Sequence, residues 1–166
     1  MRSVLWKDRL IGCEKEICLK MEQTLVILKP DCVWRGLIGE VIKRFEDEKF
    51  NVIALRMIHL SIEEAGKFYA VHQGREFYER LTEYMSGSPI VSMVLEGEKA
   101  ILRVRELIGA TDPKDAVSGT IRKKYALSGL MNVVHASDSL ESAREEIVFF
   151  FDEDAIFHYQ RREGSS

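Results

Sequence analysis

The segment Asn132-Val-Val-His-Ala-Ser-Asp-Ser139 concentrates groups able to do chemistry. Its first residues read as a short strand ending at His135, and Ser137-Asp-Ser as the cap that opens a helix. That order sets an imidazole beside unpaired backbone N–H groups and the positive end of a helix dipole. Such a place attracts anions, phosphoryl groups among them. Neutral imidazole, with an unperturbed pKa of about 6.5, is a competent nucleophile near neutral pH. A lone histidine is more often structural, and Ser-Asp-Ser alone is only a cap; the polar company of His135 sets it apart. His59, His72 and His158 lack that company and read as surface or core.

An anionic substrate needs cations. Lys29 stands at the carboxyl end of an apolar run, the end of a strand where layered α/β folds hold ligands. Arg105 falls on a helix with Thr111 just beyond it, and Arg122 falls in Gly119-Thr-Ile-Arg122. Arginine presents a planar fork matched to phosphate oxygens. Tyr69 and Phe77 flank His72-Gln-Gly-Arg75, and Glu146 follows Ser137 by nine residues. Taken singly, these are ordinary surface charges and core aromatics. There is no Walker A spelling, no GxGxxG and no Cys/His metal spacing.

The elements that must position these groups follow from periodicity. Strands are predicted at Gln23–Lys29, Asn51–His59, Ile90–Leu95 and Asn132–His135. Helices are predicted at Leu37–Lys49, from the Ser61-Ile-Glu-Glu64 capping box, and at Glu76–Met85, Lys99–Ile108 and Ser137–Phe150. Gly109–Gly129 reads as a long, mostly irregular loop, and loops of that length in a compact domain are commonly functional. The coarse order β-α-β-β-α-β implies an α+β, ferredoxin-like sandwich with a four-stranded antiparallel sheet and helices.

Composition agrees with one globular domain: 166 residues, 46% hydrophobic and 31% charged. No apolar run is long enough to span a membrane. Three cysteines, Cys13, Cys18 and Cys32, make a sparse odd set that suits a reducing, cytoplasmic setting. The net charge of −3 gives no bulk help in holding phosphates, so any such site needs a local cationic cluster. Residues 1–20 carry +2 and the remainder −5. This opening segment has no apolar signal core and too many acids for a transit peptide. It reads as an extension of uncertain status before a domain at 21–166.

Assembled, these residues resemble a nucleoside diphosphate kinase over about Glu22–Tyr159. The resemblance is carried by Leu28-Lys-Pro-Asp31 with Arg35-Gly36, Ser88-Pro89, Thr111-Asp-Pro113, Gly119-Thr-Ile-Arg122, Asn132 to Ser139, and Glu141-Ser-Ala143 with Glu146. It implies ping-pong transfer of a γ-phosphoryl group through a phosphohistidine on His135, with broad base tolerance. By the same resemblance Lys29, Tyr69, Arg105 and Arg122 neutralise and position phosphates, and Thr111 donates to them. Asn132 holds the ribose hydroxyl and Phe77 stacks on the base. Glu146 with Ser137 orients His135. Mg²⁺ arrives with the nucleotide, and Asp138 touches it through water. The implied partners are nucleoside di- and triphosphates and further copies of the chain, in a tetramer or a hexamer with the hexamer favoured, and with contacts from the Thr111–Gly129 loop and the carboxyl tail.

The chain departs from the family pattern in several places. Cys32 stands where glycine is usual, and Trp34 where a smaller polar residue is common. Ala136 replaces the commoner glycine beside the histidine. Gly129 falls where an aliphatic residue usually helps clamp the base, with Leu130 next to it, and Lys123-Lys124 also diverges. Two other classes remain open on the sequence: a nucleotide- or nucleic-acid-binding module without efficient turnover, and a structural oligomer subunit. The occupied catalytic positions favour the enzyme, and nucleic acid is not expected as a partner.

Overall fold

The computed structural model describes residues 21–162; residues 1–20, with Cys13 and Cys18, and residues 163–166 lie outside the described part. Four strands, β1 (Met21–Leu28), β2 (Asn51–Ile58), β3 (Ile90–Glu98) and β4 (Val134–Ala136), form one antiparallel sheet in the order β2-β3-β1-β4. That is the ferredoxin-like arrangement expected from the element order. The helices are α1 (Pro30–Trp34), α2 (Ile38–Asp47), α3 (Ile62–Phe68), α4 (Tyr78–Ser86), α5 (Ala100–Ile108), α6 (Ile121–Tyr125) and α7 (Leu140–Phe150).

Strand β1 is central and apolar on both faces, which explains its unbroken Leu25–Leu28 run. Val26 and Leu28 join Val41, Phe45, Val104 and Ile108 of α2 and α5 in one core. Leu25 and Ile27 join Leu81, Met85, Ile147 and Phe150 of α4 and α7 in the other. Two layers of helices therefore clamp the strand that ends at Lys29.

Four local expectations change. The alternation read along Asn51–His59 is interrupted by a register shift between Val52 and Ala54, so Ile53 and Ala54 enter the same core. The drier-looking Leu55 and Met57 are the exposed ones, at 52% and 55%. Pro30 ends β1 as expected, but it also opens α1, a helical turn the sequence reading lacks; proline suits a first helical position, where its missing N–H is no loss. The Gly109–Gly129 loop contains α6, capped by the Thr120 hydroxyl accepting from the Lys123 N–H, with Ile121 fully buried. A five-residue helix is too short to show periodicity. The terminal helix begins at Leu140, capped by Ser139 with Ser142 as its reciprocal partner, rather than at Ser137.

Candidate active site

Strand β4 carries His135, and the geometry before it is strained. Val133 is a β-branched residue at φ 73°, a conformation that costs free energy and persists only when its surroundings hold it. They do. The Val133 N–H donates to both oxygens of Asp31 at 3.3 and 3.1 Å, and its carbonyl accepts from the Lys29 N–H at 2.8 Å. Asp31 is fully buried and accepts a further bond from the Tyr84 hydroxyl at 2.5 Å. The Leu28-Lys-Pro-Asp31 turn thus fixes the backbone that presents the histidine.

His135 pairs with Ile27 in the sheet, and its Nε2 lies 3.1 and 3.2 Å from the two Glu146 oxygens. Glu146 is held in turn by the Ser137 hydroxyl, which donates to it at 2.6 Å and accepts from the Leu25 N–H at 3.2 Å. A chain of contacts therefore runs from β1 through Ser137 and Glu146 to the imidazole. With Nε2 engaged, Nδ1 is the nitrogen left for a substrate. Phe68 and Tyr69 meet the ring edge-on at 5.5 and 6.0 Å and restrict its swing.

The imidazole opens into a cavity of about 1010 Å³. Every predicted site residue lines it except Ser137, which stands behind Glu146. Among the described residues, four buried side-chain polar atoms lack a hydrogen-bond partner: Tyr69 Oη, His72 Nδ1, Arg122 Nε and Asn132 Oδ1. All four belong to residues lining this cavity. Buried polar groups are nearly always paired, so their convergence marks a place where a polar ligand completes them.

Burial, then repulsion from Arg122, lowers the pKa of Lys29 to about 7; its ammonium donates to the Leu130 carbonyl at 3.3 Å. Arg122 is likewise lowered by burial, to about 10, with a smaller contribution from Arg105. Two of its nitrogens bond the carbonyls of Gly109 and Val134 at 2.9 and 2.7 Å, stapling α6 to β4. Both shifts come first from burial and second from a neighbouring cation, the electrostatic condition of a polyanion site. Asn132 donates to the carbonyls of Thr111 and Gly129, which ties the two ends of the long loop together. Arg105 and Thr111 are exposed on the cavity rim, and Phe77 is 44% exposed at its mouth.

Sequence reading missed two features. His72, read as surface or core, lines the cavity and stacks with Tyr69 at 6.3 Å; burial, then Arg75 and His135, lowers its pKa. Its place beside Tyr69 and Phe77 in the sequence was the available signal. Phe68 and Phe149, 5.3 Å apart, build an apolar wall beside the imidazole, which periodicity assigns only to helix faces. The departures near the first turn are absorbed. Cys32 is fully buried in α1, its thiol pushed up to about 12 by burial, and Trp34 packs edge-on against Tyr84 at 6.1 Å. Lys123 and Lys124 tie the loop down, to the Pro113 carbonyl and to Glu40. Among the described residues no cluster of three or more metal-ligating side chains occurs.

Fold and site together define an α+β phosphotransferase, a ferredoxin-like sheet that presents a carboxylate-oriented histidine to a cationic cavity. The nucleoside diphosphate kinase family model matches residues 22–156, and the chain belongs to that family. A nucleoside diphosphate kinase of Desulfatibacillum aliphaticivorans is 53% identical over 133 residues, 80% of this chain and 96% of the relative. One of Pyrococcus abyssi is 51% identical over 154 residues, 91% and 94% of the two. Among solved structures, the Aquifex aeolicus nucleoside diphosphate kinase superposes with a TM-score of 0.80 at 46% identity, covering 82% of this chain and 99% of that one. The Halobacterium salinarum enzyme in complex with CDP gives 0.82 at 37% identity, covering 84% and 93%.

Proposed function

We propose that the chain, as a nucleoside diphosphate kinase, runs its ping-pong transfer through Nδ1 of His135. The observation that carries this reading is the Ser137–Glu146–His135 relay facing a cavity of unpaired polar groups. The Nδ1 lone pair forms a bond to the γ-phosphorus of a nucleoside triphosphate. The bond to the β–γ bridging oxygen breaks, and the nucleoside diphosphate leaves with that electron pair. The phosphoimidazole keeps its Nε2–H on Glu146, whose charge stabilises the ring that has become positive. A β-phosphate oxygen of a second nucleoside diphosphate then takes the phosphoryl group, and the imidazole returns to neutral.

Phosphoryl transfer asks a protein chiefly for position and charge neutralisation. Lys29, Arg105 and Arg122 supply the charge, with Tyr69 and Thr111 as hydroxyl donors. The orphaned Asn132 Oδ1 suits a ribose hydroxyl, and the Phe77 ring a base. Stacking reads no base edge, which accounts for broad base tolerance.

A divalent cation such as Mg²⁺ fits the donor set only as a companion of the nucleotide, where it would neutralise β- and γ-oxygens. The Ser142 hydroxyl, 2.6 Å away, holds Asp138 below its ordinary pKa, so this carboxylate is ionised at the rim and suited to a metal-bound water.

We read the chain as a homo-oligomer, on the exposed apolar residues of the edge strand β2 and of the long loop, where Val117 is 72% exposed. A hexamer is the expected state, and light scattering tests it. A cytoplasmic location suits its substrates; among the described residues no helix is long and apolar enough to cross a membrane.

Intact-protein mass spectrometry after brief exposure to ATP and Mg²⁺ tests the transfer. One acid-labile, base-stable phosphoryl adduct is expected, absent from His135→Ala. A wild-type chain that takes no label overturns the reading.

A further inference from the structure

A ping-pong enzyme must hold its phosphoryl group while the site stands open. Between the two half-reactions the first nucleoside diphosphate has left, and the cavity of about 1010 Å³ is open to water. Water is itself an acceptor. Its oxygen bonds the phosphorus, the bond from phosphorus to Nδ1 breaks with its electron pair returning to the ring, and neutral imidazole and dihydrogen phosphate remain. The relay from Ser137 through Glu146 orients the ring but does not choose between acceptors.

The surroundings of the imidazole can choose. The His135 side chain is only 22% exposed. Phe68, the last residue of α3, meets it edge-on with ring centroids 5.5 Å apart. Phe149 stands 5.3 Å from Phe68 and lies three residues after Glu146 on α7, so Phe149 and Glu146 project from one side of that helix. Both phenylalanines line the cavity. Phe150, in the core, anchors them, its ring 5.1 Å from Phe68 and 5.0 Å from Phe149. These rings offer water no donor and no acceptor, and a water is held in place only by polar partners. The unpaired polar atoms of the cavity belong instead to Tyr69, His72, Arg122 and Asn132.

We propose that Phe68 and Phe149 set the acceptor specificity of the phosphohistidine, keeping its phosphoryl group from water and leaving it for a nucleoside diphosphate. A nucleoside diphosphate brings its own negative charge to Lys29, Arg105 and Arg122, whereas a lone water has no such hold beside an apolar wall. Excluding water in this way protects a reactive intermediate from hydrolysis. The proposal rests on the phosphohistidine reading above and adds two residues that act on the lifetime of the intermediate rather than on its formation.

The test follows loss of the phosphoryl adduct by intact-protein mass spectrometry on the full chain, after ATP and Mg²⁺ have been removed by desalting. The wild type should keep its label longer than the same phosphorylated chain unfolded in urea. Phe68→Ala and Phe149→Ser should lose it faster, on the order of tenfold, while transfer to added ADP changes less. Phe149→Leu, apolar and without a hydroxyl, should stay near the wild type. Phe149→Ser serves as the readout if Phe68→Ala does not fold, because Phe149 is 39% exposed. A merely structural wall would slow loading and transfer and leave the decay rate unmoved; that result overturns the proposal. So does a wild-type label that decays as fast in the folded chain as in the unfolded one. Loading with phosphoramidate, a phosphoryl donor without a nucleotide, keeps the two readings apart, the label counted being the one His135→Ala lacks. If ATP gives no label but phosphoramidate does, the transfer reading fails and the decay rates still decide the role of the wall. If neither labels His135, both readings fall.

Discussion

The two ends of the cavity are built differently. At the histidine end, every group has a second group behind it: Glu146 behind His135, Ser137 behind Glu146, Asp31 behind Val133. These contacts run into β1, whose residues Leu25–Leu28 are completely buried. At the Phe77 end, Phe77, Val71 and Gly129 are exposed, and His72 and Arg75 lie beside the Phe77 ring at 5.3 and 5.9 Å. Rigidity is spent where a misplaced atom costs rate, and latitude is left where bases of different shape must be accepted.

The comparison predicts a graded set of effects. His135→Ala should reduce transfer to background, a loss of several orders of magnitude as for other nucleophile deletions, while nucleotide affinity stays within severalfold. A coupled turnover assay beside calorimetry checks both; a large loss of affinity would make His135 a structural residue. Glu146→Gln keeps the shape of the relay but removes its charge. Its kcat should fall on the order of a hundredfold with KM little changed, and an unchanged kcat would detach the relay from the chemistry.

Asp31→Ala addresses the support of the same end. It leaves the buried Val133 N–H without its acceptor and takes from the Tyr84 hydroxyl the carboxylate it donates to, so urea unfolding should show a loss of about 2–4 kcal/mol. A loss well under 1 kcal/mol would mean that Val133 keeps its strained geometry without help. Phe77→Ala probes the softer end. It should weaken nucleotide binding by about 1–3 kcal/mol and leave unfolding almost untouched. The opposite pattern would put Phe77 in the core.

The smallest effect is one of pH. Lys29, near 7 in the free chain, regains its proton when a polyphosphate arrives, because the anion favours the charged amine. Binding therefore takes up a proton in the window above pH 7, and affinity falls as pH rises through it, by at most about tenfold per unit. Calorimetry at pH 8 in buffers of different ionisation enthalpy measures the uptake. None at all would show Lys29 already charged in the free site.

Much of this was legible in the chain. Asn132 to Ser139 is continuous, so its strand, histidine and cap announce themselves, and the apolar run of β1 is readable because both of its faces are buried. Less readable was α6, whose five residues owe their helical state to the burial of Ile121. His72 looked bland because its neighbours in the cavity, Tyr69 apart, include the distant His135. The bulge in β2 is equally invisible, since it answers to the register of β3 rather than to local pattern.

The division has a physical basis. Residue type and short spacing by themselves determined the nucleophile, its helix cap, the cationic candidates and the order of strands and helices, because these depend on contacts within a few residues. Only the tertiary structure decided which nitrogen of His135 is free, that Asp31 holds Val133 in place, and that Lys29 shares its surroundings with Arg122. Those facts depend on charges and hydrogen bonds between residues up to 112 positions apart, from Leu25 to Ser137, and burial sets their strength.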